Sequence, residues 1–574
     1  MTPCKPLVHL TTAALLCGLL AACGSAVESD THAQATPAGA ATGTLVVDEA
    51  AAPPRPQIAV PAQKAYERRA ESPAAASLTL MKREAMELDA IRLPSASVDR
   101  ERYAEIDDNG VMAVAEHPVS TFSIDVDSGA YALVRRFLNQ GRLPPTDAVR
   151  AEELINYFDY DYPMPDQGRQ PFSVTTEVAP TPWNRQSLLV HVGIQGYASP
   201  QSQRPASNLV FLVDVSGSMD APDKLPLLKS AFRLLVKQLN ANDRVSLVVY
   251  AGASGVVLEP TPGDRHGEIL AALERLSAGG STHGSAGIRL AYAMAEQARI
   301  EGGINRVILA TDGDFNVGTV NHEQLIDLIE TKREQGVTLT TLGFGQGNYN
   351  DRLMEQLADK GNGNYAYIDT INEAQKVLVD ELGATLEVIA KDVKVQIEWN
   401  PAVVAEYRLI GYENRLLARE DFSNDKVDAG DIGAGHSVTA LYEIVLVGGK
   451  GQRLEPLRYA NGGKPTGARD ELGFLRLRYK APQGKVSQLI EHPMPVRLIE
   501  RELAKASDNF RFSAAVAAFA QLLRGGRYTE SFGYDEVAGL ARGARGKDAF
   551  GYRGEFLRLV NLASSLKGEV VSGL

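Results

Sequence analysis

Asn208-Leu-Val-Phe-Leu-Val-Asp214-Val-Ser-Gly-Ser-Met219 decides the fold. Leu209 to Val213 run apolar without alternation, which describes a strand covered on both faces, because a strand with one wet face alternates at a period of two. A second such run, Val307-Ile-Leu-Ala310, leads into Thr311-Asp312-Gly313-Asp314. Around them, Leu225 to Leu239, Ile269 to Leu276, Ala286 to Ala298 and Gln324 to Glu334 repeat apolar residues at helical spacing, and Arg244 to Tyr250 and Val337 to Phe344 read as further strands. Strands alternating with helices predict a doubly wound, mostly parallel, Rossmann-like α/β sheet. Ligands of such sheets collect at the carboxyl ends of the strands, where Asp214 and Asp312 stand.

Three loops there carry oxygen donors. Asp214-Val-Ser216-Gly-Ser218 has the form D-x-S-x-S, Gly280-Ser-Thr282-His283-Gly284 separates two helices, and Asp312 follows a later strand. Ser-Gly-Ser and Thr-Asp-Gly are also ordinary turn and cap sequences, so each alone says little. In this order on the loops of one α/β series they resemble the von Willebrand factor type A (VWA) family and its metal-ion-dependent adhesion site, over Asn208 to about Leu386. The resemblance implies that Ser216 and Ser218 coordinate the ion directly, that Thr282 is the threonine ligand of the second loop, and that Asp214 and Asp312 hold the ion through water. The implied cofactor is Mg²⁺, or Mn²⁺ or Ca²⁺. Mg²⁺ takes six oxygens at roughly 2.0–2.1 Å and keeps waters when few carboxylates are offered. Neutral hydroxyl ligands leave it electrophilic, so the implied partner is a protein that offers an Asp or Glu carboxylate. The family pattern needs no imidazole at His283, which reads as a surface residue, and Asp314 reads as a cap.

Enzyme signatures are missing from the sequence. There is no G-x-S-x-G elbow. His322-Glu323 is followed by Gln324-Leu-Ile326, so there is no H-E-x-x-H helix. Gly343-Phe-Gly345-Gln-Gly347 places its third glycine one residue early for a dinucleotide loop, and Gly462-Gly463-Lys464 lacks both the preceding glycine and the following Ser or Thr of a P-loop. A metal-assisted phosphatase typically gathers several direct carboxylates or histidines, whereas two aspartates and three hydroxyls stand here. The expectation is a binding protein and not an enzyme. A metal-indifferent envelope scaffold or chaperone-like subunit is the alternative, and a metal-dependent hydrolase the third reading.

Residues 1–22 have the form of a signal peptide: Lys5, then an apolar core from Leu10 to Ala22, too short to span about 30 Å of hydrocarbon. Leu20-Ala-Ala-Cys23 resembles the bacterial lipobox, which implies that Cys23 is the lipidated first residue of the mature chain. At about 0.8 kcal/mol per buried methylene, several acyl chains would anchor it firmly to a membrane. The predicted location is therefore the bacterial cell envelope. By resemblance to Gram-negative lipoproteins, Gly24 in place of Asp favours the outer over the inner membrane. Residues 23–100, rich in Ala and Pro, predict a flexible linker. The three cysteines, Cys4, Cys17 and Cys23, all fall within the first 23 residues, so the body has no thiol chemistry. A formal charge of −12 argues against nucleic-acid binding and against electrostatic attachment to anionic lipid.

The flanks of the α/β unit, which spans 205–390, are β-rich and helical. Within 101–204, Val119 to Val126 predicts a strand, Tyr131 to Leu138 a helix stopped by Gly141, Thr146 to Phe158 a second helix capped by Thr146 or Asp147, and Phe172–Val178 with Leu188–Ile194 a β-hairpin. Asp125-Val-Asp127-Ser-Gly129 fails as a calcium loop, because Ala130 and Arg136 replace the required Gly and Glu, and it reads as a strand end entering a helix cap. Residues 391–500 form a β-rich domain, with strands Val393 to Trp399, Val438 to Leu446 and Leu475 to Tyr479. Residues 501–574 are helical, with helices Phe510 to Leu523, Tyr534 to Ala541 and Gly554 to Leu566. A hairpin before the α/β unit and strands directly after it predict that the unit is inserted into one β-domain. From Val119 to Val560 the chain is similar to the YfbK-type bacterial VWA lipoproteins, through Ser123-Ile-Asp-Val-Asp127, Arg135-Arg-Phe-Leu-Asn139, Tyr157-Phe-Asp-Tyr-Asp-Tyr162 and Arg542-Gly-Ala-Arg-Gly546.

Overall fold

The computed structural model describes residues 100–166, 170–198, 200, 204–280, 284–313, 322–455 and 469–572, which belong to one compact unit, Pro94–Leu574. Residues 1–99, which hold Cys23 and the segments read as signal peptide and linker, lie outside the described residues, as do Thr282, His283 and Asp314.

The apolar runs form the middle of a six-stranded sheet in the order Tyr365–Ile368, Thr338–Phe344, Ile304–Thr311, Ser207–Asp214, Arg244–Tyr250, Ser254–Pro262. All neighbours are parallel except the last pair. Leu209, Phe211 and Val213 face one core with Leu228, Phe232 and Leu235, while Val210 and Leu212 face another with Ile288, Tyr292 and Ile329. Both faces of the sheet are thus covered, as an unbroken apolar strand requires.

The sandwich beside it is built from both flanks. One sheet runs Met112–Ala113, Val404–Ile410, Ser437–Leu446, Leu188–Gly196, Phe172–Pro180. Its junction of Leu188–Gly196 with Ser437–Leu446, in register from Ile444↔Leu188 to Ser437↔Gln195, makes the α/β unit an insertion between two strands of one sheet. The other sheet joins Ile432–Gly433, Val388–Trp399, Glu471–Lys480 and Ser487–Pro495, with Val119–Ser123 on the far edge of Val388–Trp399. Trp399, Phe122, Val192, Ile397, Tyr442 and Leu475 fill the space between them.

Helices Asp508–Leu523, Tyr534–Arg542 and Tyr552–Ser572 cover the outer side of the first sheet, where Leu189, Ile410 and Leu441 share a core with Phe512, Phe519 and Phe556. Among the described residues no helix is long and apolar enough to cross a membrane.

One local expectation is corrected. The helix predicted from Thr146 to Phe158 is broken: a 3₁₀ turn at Thr146–Ala148 gives way to extended backbone at Val149 and Arg150, and the α-helix spans only Ala151–Asn156. The break turns the Arg150 guanidinium into a wholly buried site, where it meets Glu153 and Asp351. Asp125 to Gly129 leads from the end of strand Val119–Ser123 to the N-cap, Ser128, of helix Gly129–Asn139, where no side-chain cap bond forms and the Ala130 N–H goes to Glu153 Oε2 at 2.7 Å. Asp127 Oδ1 accepts the Tyr365 N–H of the α/β sheet at 2.8 Å, and Asp125 pairs with Arg415 at 3.2 Å.

Arginines fasten the insert to its flanks. Arg415 also pairs with Asp359 and Arg150 with Asp351, both acids lying on helix Asp351–Lys360, while Arg135 reaches Asp369 and Glu373.

Candidate metal centre

Asp214 ends the central strand and is held by the ends of both neighbours. Its Oδ2 accepts the Tyr250 hydroxyl at 3.1 Å from one side and the Thr311 hydroxyl at 2.9 Å from the other. Its Oδ1 accepts the Ser216 N–H at 2.8 Å, which folds the chain back over the strand end. A one-turn 3₁₀ segment, Gly217–Asp220, follows, pinned by the buried Met219. This turn brings the Ser216 and Ser218 hydroxyl oxygens to 3.0 Å from each other, Ser216 buried and Ser218 exposed.

The second loop is tied to the first by backbone bonds, Gly279 N–H to Val215 C=O at 2.8 Å and Gly217 N–H to Gly280 C=O at 3.0 Å. Thr282 is two residues beyond that tether and outside the described residues. Asp312 leaves the strand beside Asp214 and is fully buried, and its charge bears on the Asp214 carboxyl. Burial, then the charge of Asp312, pushes the Asp214 pKa up against the pull of its hydrogen bonds from Ser216 and Thr311. A nearby cation would act against that rise by favouring the charged form.

The donor set fits a hard divalent cation. Two ligands at right angles and roughly 2.0–2.1 Å from an ion stand about 2.9 Å apart, and the Ser216 and Ser218 oxygens match one such edge at 3.0 Å. Asp214 and Asp312 add charge behind it. The described residues contain no cluster of three or more His, Cys, Asp or Glu suited to a metal.

One member of the site is not visible in the motif. Lys224 Nζ donates to Asp312 Oδ2 at 2.8 Å and lies 3.5 Å from Asn348 Oδ1, with only 8% of its side chain exposed. Its methylenes pass against Gly345, where φ is +73° and a Cβ would come within 2.3 Å of Lys224 Cε. The loop carrying Gly345 and Asn348 is braced from outside by a strap, Arg100 to Arg102. Arg100 N–H donates to Gly347 C=O and Arg102 N–H to Tyr349 C=O, each at 2.9 Å, and Glu101 Oε1 accepts the Gly347 N–H at 2.8 Å.

Comparison with known proteins places this sequence in a family. A sequence model described as von Willebrand factor type A domain matches residues 208–380, one described as von Willebrand factor matches 97–191, and one described as uncharacterized protein YfbK, C-terminal, matches 384–566. The protein YfbK of Escherichia coli (strain K12) is 49% identical over 473 residues, covering 81% of either chain. The chain belongs to the YfbK family. Protein sll0103 of Synechocystis sp. is more distant from this YfbK-family chain, at 23% identity over 58% of the chain and 75% of its own length. Among solved structures, the von Willebrand factor type A protein from Catenulispora acidiphila covers 68% of the chain and 89% of its own, at 18% identity and a TM-score of 0.39.

Proposed function

We propose that the VWA unit binds a protein partner by letting an Asp or Glu of that partner complete the coordination of a divalent cation, Mg²⁺ or else Mn²⁺ or Ca²⁺, held by Ser216, Ser218 and Thr282 with Asp214 and Asp312 behind them. The observation that carries this reading is the pair of serine oxygens 3.0 Å apart over a buried aspartate at the carboxyl end of a parallel sheet. A bound cation would act there as a Lewis acid towards the incoming carboxylate. The residues around it orient the donors: Tyr250 and Thr311 fix Asp214, and Asp214 fixes the Ser216 backbone.

The reading includes an address. Cys23 carries the lipid anchor, and the body works in the bacterial cell envelope, on the outer membrane in preference to the inner, as an adhesion or assembly protein and not an enzyme. Globomycin treatment of the expressing cell should cause the full-length precursor to accumulate, and Cys23→Ala should release the protein from the membrane fraction.

Capture of partners by the intact protein, run in Mg²⁺ and in EDTA, tests the metal reading. A protein retained in Mg²⁺, lost in EDTA and lost with Asp312→Ala supports it, while identical capture under all three conditions refutes it. That second outcome favours a metal-indifferent scaffold, a reading to which the Lys224–Asp312 ion pair lends support by giving Asp312 a cation of the chain's own.

A further inference from the structure

Partner binding gives no role to Lys224. An ammonium that is nearly solvent-free, set 2.8 Å from one of the two carboxylates behind a cation site, competes electrostatically with any cation that arrives. Its position is built in. The stem threads past a glycine at which an added Cβ would collide with it, and Asn348 Oδ1 stands 3.5 Å from the ammonium as a second acceptor. Tyr250 and Thr311 supply neutral hydrogen bonds to Asp214, so of the two aspartates only Asp312 has a lysine ion pair among the described residues.

We propose that Lys224 is the specificity-determining residue of the site: it offsets the charge of Asp312, keeps the intrinsic affinity for a divalent cation low, and thereby makes firm cation binding depend on an added carboxylate. This rests on the metal reading above. Asp214 and Asp312 together carry two negative charges and Lys224 returns one positive charge, so a divalent cation leaves the centre with one net positive charge. Without the ammonium, the same cation would be neutralised by the two aspartates and would have no electrostatic need of an outside acid. The chemistry selected is therefore a cation together with a monoanionic carboxylate, not the cation alone.

The test is binding of Mn²⁺, followed by electron paramagnetic resonance, to the intact protein and to Lys224→Met and Lys224→Gln, each with and without acetate as the carboxylate probe. Met keeps the stem and removes the charge. Gln keeps a hydrogen-bond donor, and so serves if Met leaves Asp312 stranded and the protein unfolded. The expected result is Mn²⁺ binding at least about tenfold tighter in the neutral variant, the scale of one unit charge removed a few ångströms away, together with loss of the enhancement that acetate gives the parent protein. Mn²⁺ bound by the parent with equal or higher affinity than by the folded variant, or acetate acting alike on both, overturns the role of Lys224 and leaves the metal site standing. Failure of both parent and variant to bind Mn²⁺, with or without acetate, overturns the metal reading itself and this inference with it.

Discussion

Arg150 and Asp351 meet with both side chains fully buried, the guanidinium Nη1 and Nη2 donating to Asp351 Oδ2 and Oδ1 at 2.6 and 3.2 Å. The two-pronged bond crosses from the flank to the inserted unit. The same arginine also holds Glu153. Removing one partner of a buried pair leaves the other charge without compensation, at a cost of about 3–5 kcal/mol. Arg150→Met should therefore lose stability on that scale in urea or guanidinium unfolding. A loss below about 1 kcal/mol, the range of an exposed pair, would show that the contact does not fasten the insert.

Glu152, next to that pair, is pushed up to about 8 from its ordinary value of 4.5, first by burial and then by the charges of Glu413, Asp125 and Glu153. Its folded value is above its unfolded one, so its contribution to stability is whole below pH 4.5 and is lost as pH rises through 8. Glu152→Gln removes that loss. The melting temperature of the variant should exceed that of the parent by a margin that widens from about pH 5 to about pH 8.5, and a margin that stays constant or narrows contradicts the assignment.

Magnesium should stabilise the fold. A ligand bound only by the native state adds about 2.7 kcal/mol when present at 100 times its dissociation constant, and with acetate present to complete the site the melting temperature should rise with Mg²⁺ accordingly. Asp214→Asn keeps an acceptor for Tyr250 or Thr311 but removes the charge, and should fold yet show no such rise. An equal rise in the parent and in the variant would place the cation elsewhere.

Gly345 is open to a steric test. Alanine there must adopt φ near +73° and set its Cβ within 2.3 Å of Lys224 Cε. Left-handed backbone alone costs an L-residue roughly 1–2 kcal/mol, and displacement of the lysine adds to it. Gly345→Ala should unfold at clearly lower denaturant than the parent, whereas Gly347→Ala, with nothing within 4 Å of its added Cβ, should pay only the backbone strain. Equal losses in the two would remove Lys224 from the explanation.

The fold was legible where burial is two-sided. Leu209–Val213 and Val307–Ala310 announce themselves because no water-facing residue interrupts them. Strands that carry prolines or are very short escape that reading: Ser254–Pro262 is an edge strand containing Pro260 and Pro262, Ser487–Pro495 is an edge strand ending in Pro493 and Pro495, and Tyr365–Ile368 has four residues. A proline gives no ladder hydrogen bond, which confines it to such margins and blurs the pattern. In the site, Asp214, Ser216 and Ser218 are joined by a local turn, so one short motif carries all three. Lys224 was not legible, because a lysine at the start of a helix is ordinary until Asp312, Gly345 and Asn348 arrive from distant positions to surround it. The arginines at 135, 150 and 415 were hidden for the same reason: a charged residue reads as surface until its buried acids are placed around it.

The insertion also fixes an order of events during synthesis. Strand Leu188–Gly196 leaves the ribosome long before Ser437–Leu446 exists to pair with it, so the hairpin it forms with Phe172–Pro180 must wait with one margin unmet. The α/β unit, whose strands lie between those two segments, can complete its own sheet during that wait. An unmet strand margin is a template for pairing with other chains. The closing of the sandwich thus waits for the chain beyond the unit that carries the candidate binding site, and until then one strand margin is open to pairing with other chains.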